Sequence, residues 1–249
     1  VTPDPQPVVA IVQARMGSGR LPGKVLADVA GEPMLARVLR RLGRARTLDR
    51  VVVATTTSNA DDPIVGFCAG RRIPCHRGSE EDVLDRYYQT ARAEHAGTVV
   101  RVTSDCPLID PDVADRVIGK LLEANGGLDY VTNTLPPRTF PRGLDVEAFS
   151  FAALERAHRE ARERPEREHV TPYLYRHPDR FRVEGVFNPQ DLSGHRWTVD
   201  EPADLEFVRT VFSYFGNDAF SWRELLEALA ERPEWVEINA HIQQREVRV

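Results

Sequence analysis

Between residues 13 and 26 the chain reads QARMGSGRLPGKVL, directly after the apolar run VVAIV. Gly17, Gly19 and Gly23 let the backbone come close to a bound group, and successive N–H groups in such a turn form a concavity for an anion. Arg15, Arg20 and Lys24 add charge-assisted donors. A di- or triphosphate fits that chemistry. Two familiar phosphate motifs are nearly met, and both fail. The residue five before Gly23 is Ser18 and Lys24 is followed by Val25, which breaks GxxxxGK(S/T); GxGxxG begun at Gly17 meets Pro22 at its last place. On these residues alone a phosphate loop and an ordinary basic surface loop both stand.

Two aspartates could complete such a site. Asp105, in VTSDCPLID, stands just beyond a run that reads as a buried strand. Asp200, in WTVDEPADL, follows a short apolar stretch expected to be a strand and precedes a helix signalled by EPADL. Two carboxylates converging on a triphosphate are a protein's share of a magnesium site, with phosphate oxygens and water supplying the rest. Capping of the next helix would explain either aspartate alone. The stretch DPD at 110–112 spells a DxD motif, but Pro111 as first helical residue makes Asp110 a cap. Cys68, Cys75 and Cys106 form no CxxC pair and fit reduced thiols; Cys106 has no base partner and reads as inert. The seven histidines show no HExxH or other metal-ligand spacing.

The elements that must position these residues follow from pattern. A chain of 249 residues fits one large domain, and 41% hydrophobic with 29% charged residues is ordinary for a soluble protein. No apolar run approaches the roughly 20 residues that span a bilayer, so no membrane partner is expected. Residues 1–7, VTPDPQP, lack the features of a signal peptide and read as a disordered lead-in, which makes a cytoplasmic protein the expectation. A net charge of −5 argues against a nucleic-acid partner.

The runs VVAIV, RVVVATT (50–56) and TVVRVTS (98–104) read as buried parallel strands, with IPCHRG as a further strand-like piece. Helical patterns begin at Pro33, about Asp61, Glu80 and Pro111. This alternation predicts an α/β domain: a mostly parallel, Rossmann-like sheet with helices on both faces and ligands at the carboxyl ends of the strands. Pro136, Pro137 and Pro141 interrupt residues 133–150, a long functional loop or an irregular hairpin. Helical segments resume at 151–162 and 166–176, RFRVEGVF (180–187) is a strand candidate, and a helix starts near Trp222. The stretch 154–169, LERAHREARERPEREH, reads as a solvated helix laced with i,i+4 pairs.

Six blocks resemble, in order, the cytidylyltransferases that activate sugar acids, the acylneuraminate and 3-deoxy-manno-octulosonate type, and above all the branch called spore coat polysaccharide biosynthesis protein F. They are the opening stretch, RGSEEDVLDRY (77–87), TSDCPLID (103–110), PRGLDVEAFS (141–150), EREHVTPYLYRHP (166–178) and WTVDEPADL (197–205). The resemblance implies a single-domain nucleotidyltransferase fold of the GT-A kind, spanning 8–249. It implies Mg²⁺-dependent transfer of CMP from CTP to an ulosonic or nonulosonic acid with release of pyrophosphate.

Residue by residue, it implies that Arg15 and Lys24 hold the triphosphate with the amides of Gly17 and Ser18, and that Ala14, Arg77, Ser79 and Asp82 share base recognition. Ser79 has a second reading as a helix cap. Asp105 is placed with Arg15 and Lys24 in catalysis, and with Asp200 as the metal pair. Arg142, Asp145, Glu147, Arg167, Glu168 and His169 are implied to read the acceptor within 132–170, a region also implied to form a homodimer. Arg20 matches a variable position and is expected to be solvated. Three other functions stay open: a phosphonate or other small acid as acceptor, a nucleotide-binding module without catalysis, and a nucleotide-sugar glycosyltransferase.

Overall fold

The computed structural model describes residues 6–243; residues 1–5 of the expected lead-in lie outside the described residues. Pro7 is already docked, its carbonyl accepting from the amides of Gly97 at 2.9 Å and Thr98 at 3.3 Å.

The strands in chain order are β1 (Val8–Gln13), β2 (Asp28–Val29), β3 (Glu32–Pro33), β4 (Arg50–Thr56), β5 (Cys75–Gly78), β6 (Thr98–Thr103), β7 (Tyr130–Thr132), β8 (Glu147–Ser150) and β9 (Val183–Gly185). The helices are α1 (Met34–Leu42), α2 (Asp62–Arg71), α3 (Val83–Ala93), α4 (Pro111–Glu123), α5 (Phe151–Glu160), α6 (Arg164–His169), α7 (Pro172–Arg176), α8 (Pro202–Phe215), α9 (Trp222–Glu231) and α10 (Glu234–Glu237).

A seven-stranded sheet in the order β5-β4-β1-β6-β8-β7-β9 forms the centre, and β2 and β3 pair separately. The β-branched run of β1 is buried on both pleat faces because helices cover both. Val8, Ala10 and Val12 pack with Leu35 and Val38 of α1, Val113 and Val117 of α4, and Val208 of α8. Val9 and Ile11 face the other way, onto Leu84 and Tyr87 of α3, Leu154 of α5 and Leu174 of α7. The sheet is mostly parallel, as the alternating pattern predicts; β8 alone runs antiparallel to both its neighbours, β6 and β7.

The segment 133–147 is therefore the connection of an irregular β7–β8 hairpin. Helix boundaries differ in three places, the first being the segment expected over 166–176, which is split into α6 and α7 at Val170, where φ is +72°. The pattern beginning at Glu80 becomes helical only at Val83, because Asp82 caps α3 by accepting from the Asp85 amide at 2.9 Å. The stretch 154–169 is two helices, broken where Glu166 turns back to accept from the amides of Arg162 and Glu163, both at 3.2 Å.

For function the decisive feature is register. Gln13 pairs with Ala54 of β4 on one side and Thr103 of β6 on the other, so the chains leaving β1 and β6 emerge side by side. From β1 the crossovers run outward to β4 and β5, then return to β6 on its far side. Such a switch point opens a crevice at the carboxyl ends of the strands. No described helix is long and apolar enough to cross a membrane.

Candidate active site

The crevice is a cleft of about 1540 Å³. One wall is the loop 14–24, whose shape is set by a few contacts. The Met16 amide donates to Asp61 Oδ1 at 2.6 Å, and the Gly23 amide returns to the Met16 carbonyl at 3.0 Å. Gly23 sits at φ +74°, a left-handed conformation that a side chain would strain. Between these ties Gly17, Ser18 and Gly19 line the cleft, and their amides donate to no acceptor among the described residues.

The loop ends by aiming Lys24 at the opposite wall. Its Nζ donates to the Val199 carbonyl at 2.6 Å, to Asp105 Oδ2 at 3.1 Å and to Asp200 Oδ1 at 3.0 Å. Burial alone would lower the Lys24 pKa, but the charges of Asp105 and Asp200 outweigh it and leave it raised. Asp200 is drawn the same way: burial pushes its carboxyl up, and Lys24 and Arg20 bring it below the ordinary carboxylate value. The two aspartates therefore converge on one cation, from loops far apart in sequence.

Asp200 is held by a network with no obvious signature in the sequence. The fully buried Asp204 accepts from the Asp200 amide at 2.9 Å, from Arg196 Nε at 2.8 Å and from Asn239 Nδ2 at 2.9 Å. Arg196 Nη2 also reaches Asp200 Oδ2 at 3.1 Å, leaving Oδ1 to face Lys24. The stretch before Asp200 is not the expected strand. It is irregular chain pinned to its neighbours, the Trp197 amide donating to Arg142 O at 2.7 Å and the Val199 amide to Asp105 O at 2.8 Å. The local signal that was available is the spacing Glu201 to Asp204, where Asp204 Oδ2 accepts from the Glu201 amide at 3.0 Å.

The residues singled out from sequence divide sharply. Ala14, Arg15, Gly17, Ser18, Lys24, Asp105 and Asp200 line the cleft together with Asp82, Arg167, Glu168 and His169. Arg15 is the open cation, its side chain 53% exposed against 12% for Lys24. Arg20 is not simply solvated: it reaches Asp200 at 3.0 Å and Glu201 at 3.4 Å. Burial lowers the His169 pKa and keeps that imidazole neutral at pH 7.

Five others do not line it. Arg77 is spent on scaffolding, donating to Thr56 O and Ser58 O, both at 2.8 Å, and to Asp62 at 2.7 Å. Ser79 Oγ accepts from the Asp82 amide at 3.0 Å, closing the turn ahead of α3. Backbone bridges tie Arg142 to the 195–197 segment, and Asp145 is paired with Arg138 at 2.5 Å. Glu147 is 6% exposed and committed to the fold, accepting from Tyr130 at 2.6 Å, from Thr171 at 2.7 Å and from Arg101. Cys106 is inert, since burial, reinforced by the charge of Asp105, pushes its thiol well up. Asp110 caps α4, accepting from the Asp112 amide at 2.9 Å.

Gln13, Glu80, Glu81, Arg86 and Arg164 also line the cleft; the first four lie within the blocks named above without having been singled out, and Arg164 lies outside them. Asp61, the anchor of the loop, looks in sequence like one more helix-capping acid.

A doubly wound sheet with a glycine-rich, cationic loop facing a carboxylate pair across its switch point is the arrangement of a nucleotidyltransferase. The chain belongs to the cytidylyltransferase family, whose sequence model matches residues 9–230. It is 30% identical over 235 residues to the spore coat polysaccharide biosynthesis protein SpsF of Bacillus subtilis, covering 91% of this chain and 95% of that one. Over 116 residues it is 40% identical to a 3-deoxy-manno-octulosonate cytidylyltransferase of Geobacter sulfurreducens, covering 47% of this chain and 46% of the other. A solved cytidylyltransferase from Leptospira borgpetersenii superposes with a TM-score of 0.89 at 33% identity, covering 97% of this chain and 100% of that one.

Proposed function

We propose that the cleft binds CTP and a small sugar acid, of the ulosonic or nonulosonic class, and transfers CMP to the acid with release of pyrophosphate. The observation that carries this is the convergence of Asp105 and Asp200 on Lys24 Nζ, at 3.1 and 3.0 Å, at the end of a loop with open amides. The amides of Gly17, Ser18 and Gly19 would take phosphate oxygens, and Arg15 and Lys24 would offset the charge that develops on the departing pyrophosphate. The acceptor hydroxyl attacks the α-phosphorus in line, the bond to the bridging oxygen breaks, and no covalent enzyme intermediate is required.

Two carboxylates that converge on one cation are a donor set of the kind magnesium takes, with room in the cleft for phosphate oxygens; Lys24 Nζ, which stands between them, would have to leave for the phosphates when the ion bound. Asp105 and Asp200 would hold the ion, which when bound supplies charge neutralisation at the triphosphate. Acceptor recognition falls to α6, where Arg164, Arg167, Glu168 and His169 line the cleft. Arg164 is the open cation there, 91% exposed and 3.7 Å from Glu168, whereas Arg167 is clamped to Asp82. An arginine beside hydroxyl-binding groups suits a carboxylated sugar.

The test is pyrophosphate release with each of four NTPs across ulosonic acids, nonulosonic acids and phosphonates, with Mg²⁺ present. Turnover with CTP and a sugar acid is expected. Absence of turnover with CTP for every acceptor would overturn the proposal, and turnover with phosphonates alone would replace its acceptor. Sedimentation of the same protein tests the homodimer that the family resemblance implies.

A further inference from the structure

Beside the cleft the backbone departs sharply from its ordinary conformations. Val170, directly after the cleft-lining His169, sits at φ +72° and ψ −57°, and the Thr171 amide donates back to the His169 carbonyl at 2.9 Å. A three-residue turn of that hand is the strained kind, and a β-branched residue is poorly suited to it. The other described residues with positive φ, glycines apart, are Ala30, Arg72, His95 and Asn125, and none of them is β-branched. The Val170 side chain is buried in the core with Tyr173 and Leu174. Strain of this sort persists only where the surroundings over-determine it, and it gathers at functional sites.

The turn is held from both sides. Toward α6, the Val170 amide donates to the Glu166 carbonyl at 3.1 Å, and Arg167 is tied to Asp82 and to the His158 carbonyl, the latter at 2.8 Å. Toward α7, the buried Thr171 donates its hydroxyl to Glu147 Oε1 at 2.7 Å. The same oxygen accepts from Tyr130 at 2.6 Å, and Glu147 Oε2 is paired with Arg101. Arg101, Glu147 and Tyr130 come from β6, β8 and β7, which are adjacent in the sheet, so the turn is referred to the rigid centre of the molecule. A buried ion pair contributes little net stability of its own, because desolvation of both charges offsets their attraction. What this pair fixes in space is the hydroxyl of Thr171.

We propose that Glu147 and Thr171 are positioning residues for the acceptor: they hold Val170 in its strained turn, and the turn sets His169 in the wall of the cleft. This inference rests on the sugar-acid reading above. A neutral imidazole carries one donor and one acceptor, which suits the hydroxyls of a sugar. Without the Thr171 tie, Val170 relaxes to the negative φ its side chain prefers, and the peptide that carries His169 turns with it. Glu147 therefore acts on the acceptor from outside the cleft, by holding backbone rather than by the contact that resemblance implied.

The experiment is steady-state kinetics with CTP and a sugar acid varied in turn, and denaturant unfolding alongside, on the parent, Thr171→Val, Thr171→Ser and Val170→Gly. Thr171→Val keeps the shape and removes the donor. It is expected to raise acceptor KM about tenfold and to leave nucleotide KM within about twofold, with Thr171→Ser restoring the parent value. Val170→Gly leaves the Thr171 to Glu147 hydrogen bond in place but lets the turn open, and a several-fold rise in acceptor KM is expected of it even if Thr171→Val does not fold. In a His169→Ala protein, Thr171→Val should add nothing further, since its effect runs through that imidazole. With a parent that turns over, this proposal alone would be overturned by an unchanged acceptor KM, by an equal rise in both KM values, or by a full effect of Thr171→Val on the His169→Ala background. A parent inactive with every sugar acid would overturn the acceptor reading and this proposal with it.

Discussion

Two irregular segments of this chain look alike as sequence and behave in opposite ways. Residues 13–26 and 133–147 each hold two arginines and a cluster of backbone-shaping residues, three glycines in the first and three prolines in the second, and both leave a sheet strand. The first leaves its middle amides open and presents Arg15 and Lys24 to a cleft. The second satisfies itself. Asn133 donates to the Leu144 carbonyl at 2.7 Å and accepts from the Val146 amide at 2.9 Å, Arg138 grips Asp145, and Phe140 and Leu144 are fully buried. Gly143, at φ +102°, lets the chain pass so near Trp197 that a Cβ would meet its backbone at 2.6 Å. Composition therefore marks both segments as special, but only the fate of their polar groups separates a binding loop from a brace. The brace still serves the site, because it fixes residues 195–197, three residues before Asp200.

The sharpest way to break this comparison is Lys24→Ala, which should lower the rate of pyrophosphate release by about a thousandfold while the protein stays folded by circular dichroism. Near-normal turnover would remove the loop from the chemistry. Next in size, Gly143→Ala should destabilise the chain by about 3 kcal/mol in denaturant unfolding, since it combines a positive φ with a backbone clash. If the folded fraction kept its stability, the 133–147 segment would not be a brace.

Asp145→Asn should cost about 1–2 kcal/mol by loss of its charged pairing with Arg138, with acceptor KM unchanged. A large rise in acceptor KM at constant stability would return Asp145 to the binding role implied by resemblance. Arg15→Gln, on an exposed side chain, should raise nucleotide KM several-fold and change stability by less than about 0.5 kcal/mol.

The smallest effect is on pH. Asp200 titrates below its unfolded value, so its ion pairs contribute stability above the ordinary carboxylate range and lose it only as pH falls through the lower folded value. The thermal midpoint advantage of the parent over Asp200→Asn should hold from neutrality to about pH 4 and fade below it. An advantage already lost at pH 6 would mean that Lys24 and Arg20 do not hold the carboxylate.

Much of the fold was legible because it is written locally. Short apolar runs of β-branched residues bounded by turn residues favour strands buried on both faces, and β1, β4 and β6 lie where those runs lie. Asp110 and Pro111 marked the start of α4 by the same local logic. The short strands β7 and β8 were not legible, since three or four residues carry no period and their antiparallel pairing depends on partners distant in the chain. The helix break at Ala161 was masked by the i,i+4 charge spacing on either side of it, because it is made by Glu166 reaching backwards.

The site divides along the same line. The amino-acid sequence by itself narrowed residues 13–26 to a phosphate loop or a basic surface loop, because glycine freedom and cationic side chains act over a few residues wherever the turn is placed. It also set Asp105 at the end of a central strand. Only the tertiary structure decided that Lys24 meets both Asp105 and Asp200, that Asp204 and Arg196 orient Asp200, and that Asp61 anchors the loop. It also withdrew Arg77, Asp145 and Glu147 from the cleft by giving them partners in the protein. The physical reason is that a charged side chain is committed by whichever opposite charge the fold brings within about 3 Å, a distance unrelated to separation along the chain.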